Sequence, residues 1–157
     1  MLKLKPGVDC SKIQPELLTG WGMYERVLLA LTDWREARGE SYDCRLAVAC
    51  CVRNRVQNPK WWGNDYVSCL IKRWQFSSMS DPNDRQLTTW PAATDHIFEE
   101  CLGIASAVID NQLQHPMPGA DSYYDVSIMP PKWATTDKKV GQIGRITFYN
   151  IDGDTDD

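Results

Sequence analysis

Apolar residues recur at helical spacing from early in the chain: Leu17, Leu18, Trp21, Tyr24, Val27, Leu28 and Leu31. That spacing predicts a helix with one buried face. Pro15 suits a first helical position and Glu16 the positive end of the dipole. Gly20 and Gly22 weaken the first part, so the stronger helix is predicted over 23–38, closed by Gly39. A second helix is predicted over 42–56, with Ser41 as its cap. Its centre, Leu46 to Val52, is apolar nearly all round, which places it in the middle of the core. Arg53, Asn54 and Arg55 restore polarity and Asn58-Pro59 ends it. A loop at 60–65, a short helix at 66–72 and an ordered loop at 73–78 follow. After a turn-rich stretch, a long helix is predicted over 91–114, with Ile97, Cys101, Ile104, Ala105 and Val108 on one face.

From Asp121 the pattern changes. Ser122-Tyr123-Tyr124 and Lys139 to Ile143 read as extended, and Gly144-Arg145 turns the chain into Ile146-Thr147-Phe148-Tyr149 as a hairpin partner. The predicted class is α+β, mostly helical with a small late antiparallel sheet. Residues 1–157 make a single domain, with 1–12 as a lead-in and 152–157 as a disordered acidic tail.

A net charge of −4 and a pI near 5.2 argue against a nucleic-acid partner, which would need a basic face. Seven tryptophans suit either core packing or stacking on sugars. The six cysteines form no CxxC pair, and only His96 and His115 could assist them, so neither a structural zinc nor another cofactor is expected. Cys44, Cys50 and Cys51 share one helix and read as small core fillers, leaving Cys10 to a later cysteine as the disulfide to consider. The N-terminus has no apolar signal region and no run reaches membrane-spanning length. Synthesis in a cytoplasm is expected, with no membrane span.

The candidate chemistry centres on Trp34-Arg35-Glu36-Ala37-Arg38-Gly39-Glu40, where one helix ends and the chain turns. On local pattern alone these are solvated charges answering the helix dipole. The segments downstream change that reading. Glu36-Ala37-Arg38-Gly39-Glu40 leads into a helix ending Val52-Arg53-Asn54-Arg55-Val56. Gln75-Phe76-Ser77, Gly119-Ala120-Asp121-Ser122-Tyr123-Tyr124, Pro130-Pro131-Lys132-Trp133-Ala134 and a closing Ile143-Gly144 to Phe148-Tyr149 follow in order. This series, over about 28–150, resembles the cell wall hydrolases of the spore-cortex-lytic (SleB-like) type. Two positions depart from that family's pattern: Ser122 and Ile146 stand where it commonly has histidines.

The resemblance implies a lysozyme-like domain that cleaves the peptidoglycan glycan strand between N-acetylmuramic acid and N-acetylglucosamine by lytic transglycosylation. It places the catalytic glutamate on Glu36, with Gln75, Phe76, Ser77, Tyr123, Tyr124 and Tyr149 as substrate-binding candidates. Such an acid must be protonated near neutrality, so burial must raise its pKa. Trp34 and Tyr123-Tyr124 are expected to supply that burial, with Arg35 and Arg38 turned away. A hydrolase would need a partner carboxylate, for which Glu40, Asp121 and Asp125 are candidates. The partner is the peptidoglycan strand, acted on by a monomer in the cell wall, as by a holin-released phage endolysin or a virion-borne lysin. Two rivals stand beside this: a cell-wall cysteine amidase or peptidase using Cys10 from Asp9-Cys10-Ser11, and a catalytically silent glycan-binding virion module.

Overall fold

The computed structural model describes residues 20–73 and 75–152. Among these residues five helices come in order: α1 (Gly20–Ala37), α2 (Tyr42–Gln57), α3 (Tyr66–Ile71), α4 (Ser77–Ser80) and α5 (His96–Ile109). Strands β1 (Ser122–Asp125), β2 (Lys139–Ile143) and β3 (Ile146–Tyr149) follow. Single 3-10 turns at Arg85–Thr88 and Thr136–Lys138 complete the described elements. The lead-in at 1–12, Cys10 and all but the first residue of the acidic tail lie outside the described residues.

Helix α2 is the partition of the molecule. Ser41 caps it by accepting from the Cys44 amide at 3.3 Å, and every residue from Cys44 to Arg53 is buried. On one side Leu46, Val52 and Cys50 join Leu29, Leu70, Ile104 and Val108 from α1, α3 and α5. On the other, Ala47, Val48 and Cys51 pack with Ile146 and Phe148 of the sheet. The centre of a helix sandwiched between two clusters has no solvent face, which is why Leu46 to Val52 is apolar all round.

The sheet is antiparallel in the order β1-β3-β2, so β3 is central and all four of its residues are buried. Ser122 pairs with Tyr149 and Tyr124 with Thr147, and a bulge between Lys139 and Gly141 interrupts the other edge. The β2–β3 hairpin turns at Gly144, whose φ of +55 suits a two-residue turn that begins with glycine. A Cβ there would run into the Glu40 carboxylate. The hairpin is thus clamped against the turn that follows α1.

Several elements differ from expectation. Trp21, Tyr24 and Val27 are exposed, and the buried part of α1 begins at Leu28. Before it, Arg26 is buried instead, held by Asp110 at 2.7 Å and the Ser106 carbonyl at 3.1 Å. Gly39 is not left-handed: α1 closes through Arg38 N–H to Trp34 O and Glu40 N–H to Ala37 O. α5 is shorter than 91–114, because Asp95 caps it by accepting from the Phe98 amide at 2.9 Å. Asn111, at φ 53, stops it at the other end. The stretch expected as a loop at 73–78 enters α4 at Ser77.

Candidate active site

Glu36 sits on the last turn of α1 and opens on a cleft of about 970 Å³. One wall comes from the α3–α4 segment, with Gln75, Phe76 and Ser77; the other comes from β1, with Tyr123 and Tyr124. Trp61 and Trp133 add indoles from two separate loops. Glu36 keeps some accessible surface, as an acid at a cleft floor must, while its carboxyl is crowded by protein on nearly every side. Burial pushes its pKa from 4.5 up to about 7, against a hydrogen bond from the Ser78 hydroxyl at 2.9 Å. The Asp84 charge raises it further, and the Arg55 guanidinium works the other way. The carboxyl is thus half protonated near neutrality, where a general acid works best.

Arg35 and Arg38 do turn away. Arg35 donates to the Thr89 and Ser78 carbonyls at 3.1 and 3.0 Å and lies over the Trp90 ring. Arg38 donates to Gln86 at 2.6 Å and lies over Trp34. Both arginines tie the end of α1 to the 77–90 segment, and neither ion-pairs with Glu36. Trp34 does not shield the acid as expected: it points at the start of α5, donating from its indole to Asp95 at 3.2 Å. Residues two apart on a helix do not share a face. Tyr123 supplies the shielding. Its ring lines the cleft, and its hydroxyl is buried with no partner among the described residues. Burial, and next the Glu36 charge, hold that phenol protonated.

Of the six expected substrate residues, Gln75, Phe76, Ser77, Tyr123 and Tyr124 line the cleft with Glu36. Tyr149 stands behind, stacked on Tyr124 with centroids 5.8 Å apart, while Trp133 meets both rings edge-on. Ser77 gives its hydroxyl to Asp84 at 2.5 Å; the serine that reaches Glu36 is Ser78, which the sequence did not single out. Nor did it assign a role to Arg55, although the Asn54-Arg55 pair belonged to the series. Trp133 likewise stood in the Pro130-Pro131-Lys132-Trp133 segment without a role.

The proposed partner carboxylates are already engaged. Glu40 accepts from the Arg145 amide at 3.4 Å in the hairpin turn. Asp121 is buried and accepts from Ser122 Oγ and from the Ile151 and Asp152 amides at 2.7 to 2.9 Å. Asp125 does line the cleft, turned to the Ser127 amide at 2.8 Å and Arg145 at 3.6 Å. Burial acts to raise its pKa, but those hydrogen bonds and that cation outweigh it, and Asp125 stays an anion. Ser122, one of the departures from the family pattern, bonds to Asp121 and Arg55; Ile146, the other, is core.

The fold brings one cysteine against a histidine, Cys51 Sγ lying 3.7 Å from His115 Nε2. The same nitrogen lies 2.9 Å from the Ala120 carbonyl, to which it must donate, and Nδ1 accepts from the Met117 amide at 3.1 Å. A ring with its acceptor nitrogen occupied cannot take the thiol proton, and burial pushes the Cys51 thiol well up. His96 is exposed. Among the described residues, no group of three or more His, Cys, Asp or Glu gathers to hold a metal ion.

A mostly helical domain with one acid rising from a helix end into an aromatic-walled cleft, backed by a small antiparallel sheet, is lysozyme-like. A family model described as cell wall hydrolase matches residues 39–149, most of the chain, and the chain belongs to that family. The match begins just past Glu36. Among solved structures, the chain is similar to the catalytic domain of the germination-specific lytic transglycosylase SleB from Bacillus anthracis. The TM-score is 0.65 at 22% identity, covering 83% of this chain and 98% of that one. The catalytic domain of the Bacillus cereus SleB protein gives the same score and identity, covering 88% and 98%. No curated protein matches.

Proposed function

We propose that the chain is a single catalytic domain that cuts the peptidoglycan glycan strand between N-acetylmuramic acid and N-acetylglucosamine by lytic transglycosylation. Glu36 is the general acid and base. The observation that carries this reading is a cleft-floor carboxyl held near pKa 7 by burial, without an ion-pair partner among the described residues. Its protonated form gives a proton to the glycosidic oxygen as the C1–O bond breaks. The muramic acid 6-hydroxyl then attacks C1, and the Glu36 carboxylate takes the hydroxyl proton, so the acid is restored and no water is consumed. The unpartnered Tyr123 hydroxyl beside Glu36 supports this, because it can donate to charge that develops there. Asp125, the expected partner carboxylate that lines the cleft, is held by the Ser127 amide and Arg145.

In this reading Gln75, Phe76, Ser77, Tyr123 and Tyr124 contact the strand and Tyr149 supports Tyr124. The chain works as a monomer on the wall, in the manner of a phage endolysin or virion-borne lysin. No described helix is long and apolar enough to cross a membrane. Mass analysis of the products from purified peptidoglycan tests the mechanism. Anhydro-muramic ends are expected; reducing ends, heavier by one water, would replace transglycosylation by hydrolysis. Stem peptides released from intact glycan would overturn the glycosidase reading.

A further inference from the structure

Arg55 leaves the last turn of α2 and spends its guanidinium in three directions. Nε donates to the Asp121 carbonyl at 2.6 Å, one terminal nitrogen to the Gln75 side-chain oxygen, and the other to Ser122 Oγ at 3.4 Å. Its face lies over the Phe76 ring, 5.1 Å from the centroid. One side chain therefore ties together α2, the entry to β1 and the segment that carries Gln75, which are the two walls of the cleft.

The chemistry of the fork fixes more than position. A guanidinium donates five N–H groups and accepts nothing. Whatever amide atom faces it must be the oxygen, so the Gln75 amide cannot flip. Its backbone is fixed as well, through Gln75 N–H to Lys72 O at 3.1 Å. Gln75 lines the cleft, and its NH2 has no protein acceptor among the described residues.

We propose that Arg55 is a positioning residue that locks Gln75 as a one-way donor, and that this donor reads the acetamido carbonyl of an N-acetylated sugar. The inference rests on the glycan-cleaving reading above. Arg55 has a second effect through space, since its charge favours the Glu36 carboxylate. Orientation and charge separate on substitution: lysine keeps the charge and loses the fork, whereas methionine loses both.

The test uses soluble glycan strands, either fully N-acetylated or chemically de-N-acetylated, with the full chain. Wild type is expected to lose about tenfold in kcat/KM on de-N-acetylated strands, the worth of one ordinary hydrogen bond. Gln75→Glu keeps an acceptor for Arg55, now charge-assisted, so its melting temperature holds or rises. It presents no donor, and its kcat/KM on N-acetylated strands should fall about tenfold or more, with the preference for acetylation gone. Arg55→Lys should raise KM on N-acetylated strands while leaving the upper limb of the pH–rate profile in place. Arg55→Met should raise KM and move that limb to higher pH. Wild-type kcat/KM and wild-type acetyl preference in Gln75→Glu would overturn the proposal while leaving the glycosidase reading intact. If wild type releases no glycan fragments from either strand, the glycosidase reading fails and this inference with it. A wild-type KM in both Arg55→Lys and Arg55→Met would overturn the positioning role of Arg55, and Gln75→Glu tests the donor itself even if the Arg55 variants do not fold.

Discussion

Replacing Glu36 by glutamine should abolish lysis and stabilise the fold at alkaline pH. The carboxyl titrates at 4.5 in an unfolded chain and at about 7 in the folded one. Between those values the native state holds a proton that the unfolded state has released, so stability falls as pH rises through the window. The raised pKa thus contributes stability that is fully present below 4.5 and lost above about 7. At about 1.4 kcal/mol per tenfold, the difference reaches about 3 kcal/mol, an upper value because water in the cleft screens the anion. In Glu36→Gln the new amide would keep a carbonyl for the Ser78 hydroxyl and carry no charge. Urea unfolding of both proteins at about pH 4.5 and about pH 8.5 measures the effect. All other titrating groups are shared, so to first order they cancel in the comparison. The glutamine variant should gain on wild type by about 2–3 kcal/mol between the two conditions. A stability difference independent of pH would refute the buried-acid argument. Retained peptidoglycan lysis would refute the catalytic role of Glu36, whereas absence of lysis by wild type as well would revive the silent-module reading.

Ser78→Ala removes a hydroxyl that favours the Glu36 anion, so the upper limb of the pH–rate profile should rise by about one pH unit. An unmoved limb would detach Ser78 from the acid. Trp133→Ala removes two edge-on ring contacts, each worth about 0.5–1.5 kcal/mol, and should raise KM severalfold with kcat held. Burial pushes the His115 pKa down to about 4, so wild type loses stability as pH falls from 6.5 through 4. In urea unfolding across that range His115→Gln should show a flatter acid limb. Gly144→Ala combines a strained φ with a Cβ driven at the Glu40 carboxylate, and should lower stability by about 1–3 kcal/mol in the same assay.

Much of this was legible because it is written locally. The Ser41 cap, the apolar centre of α2, and the β2–β3 hairpin around Gly144-Arg145 all came from spacing and turn chemistry. Gln75, Phe76, Ser77, Tyr123 and Tyr124 came from the family resemblance that the ordered segments carry. What escaped depends on long-range partners. Nothing near Arg26 in sequence announces Asp110, so its burial could not be read there, and the exposed Trp21, Tyr24 and Val27 imitate a buried stripe. Pro91 looked like a helix start, but Asp95, with a side chain able to accept from the Phe98 amide, made the stronger cap. Ser78 outdoes Ser77 at Glu36 only because the short helix α4 turns it inward, a rotation that no spacing rule reveals. Arg55 was visible as a letter in a motif; its three acceptors lie on other segments of the chain.

The five described cysteines, Cys44, Cys50, Cys51, Cys69 and Cys101, are all unpaired and buried. Burial holds the thiols protonated, with Cys50 and Cys69 pushed up to about 11 and Cys44 to about 12. A thiol-directed reagent reaches such groups only when the protein opens, and its rate then reports how often that happens. These thiols are spread over α2, α3 and α5, so with Cys10 replaced the enzyme carries its own clock for opening. One shared labelling rate would mean that the helices come apart together. A faster Cys69, on the short α3 beside the cleft, would mean that this wall breathes while the rest stays closed.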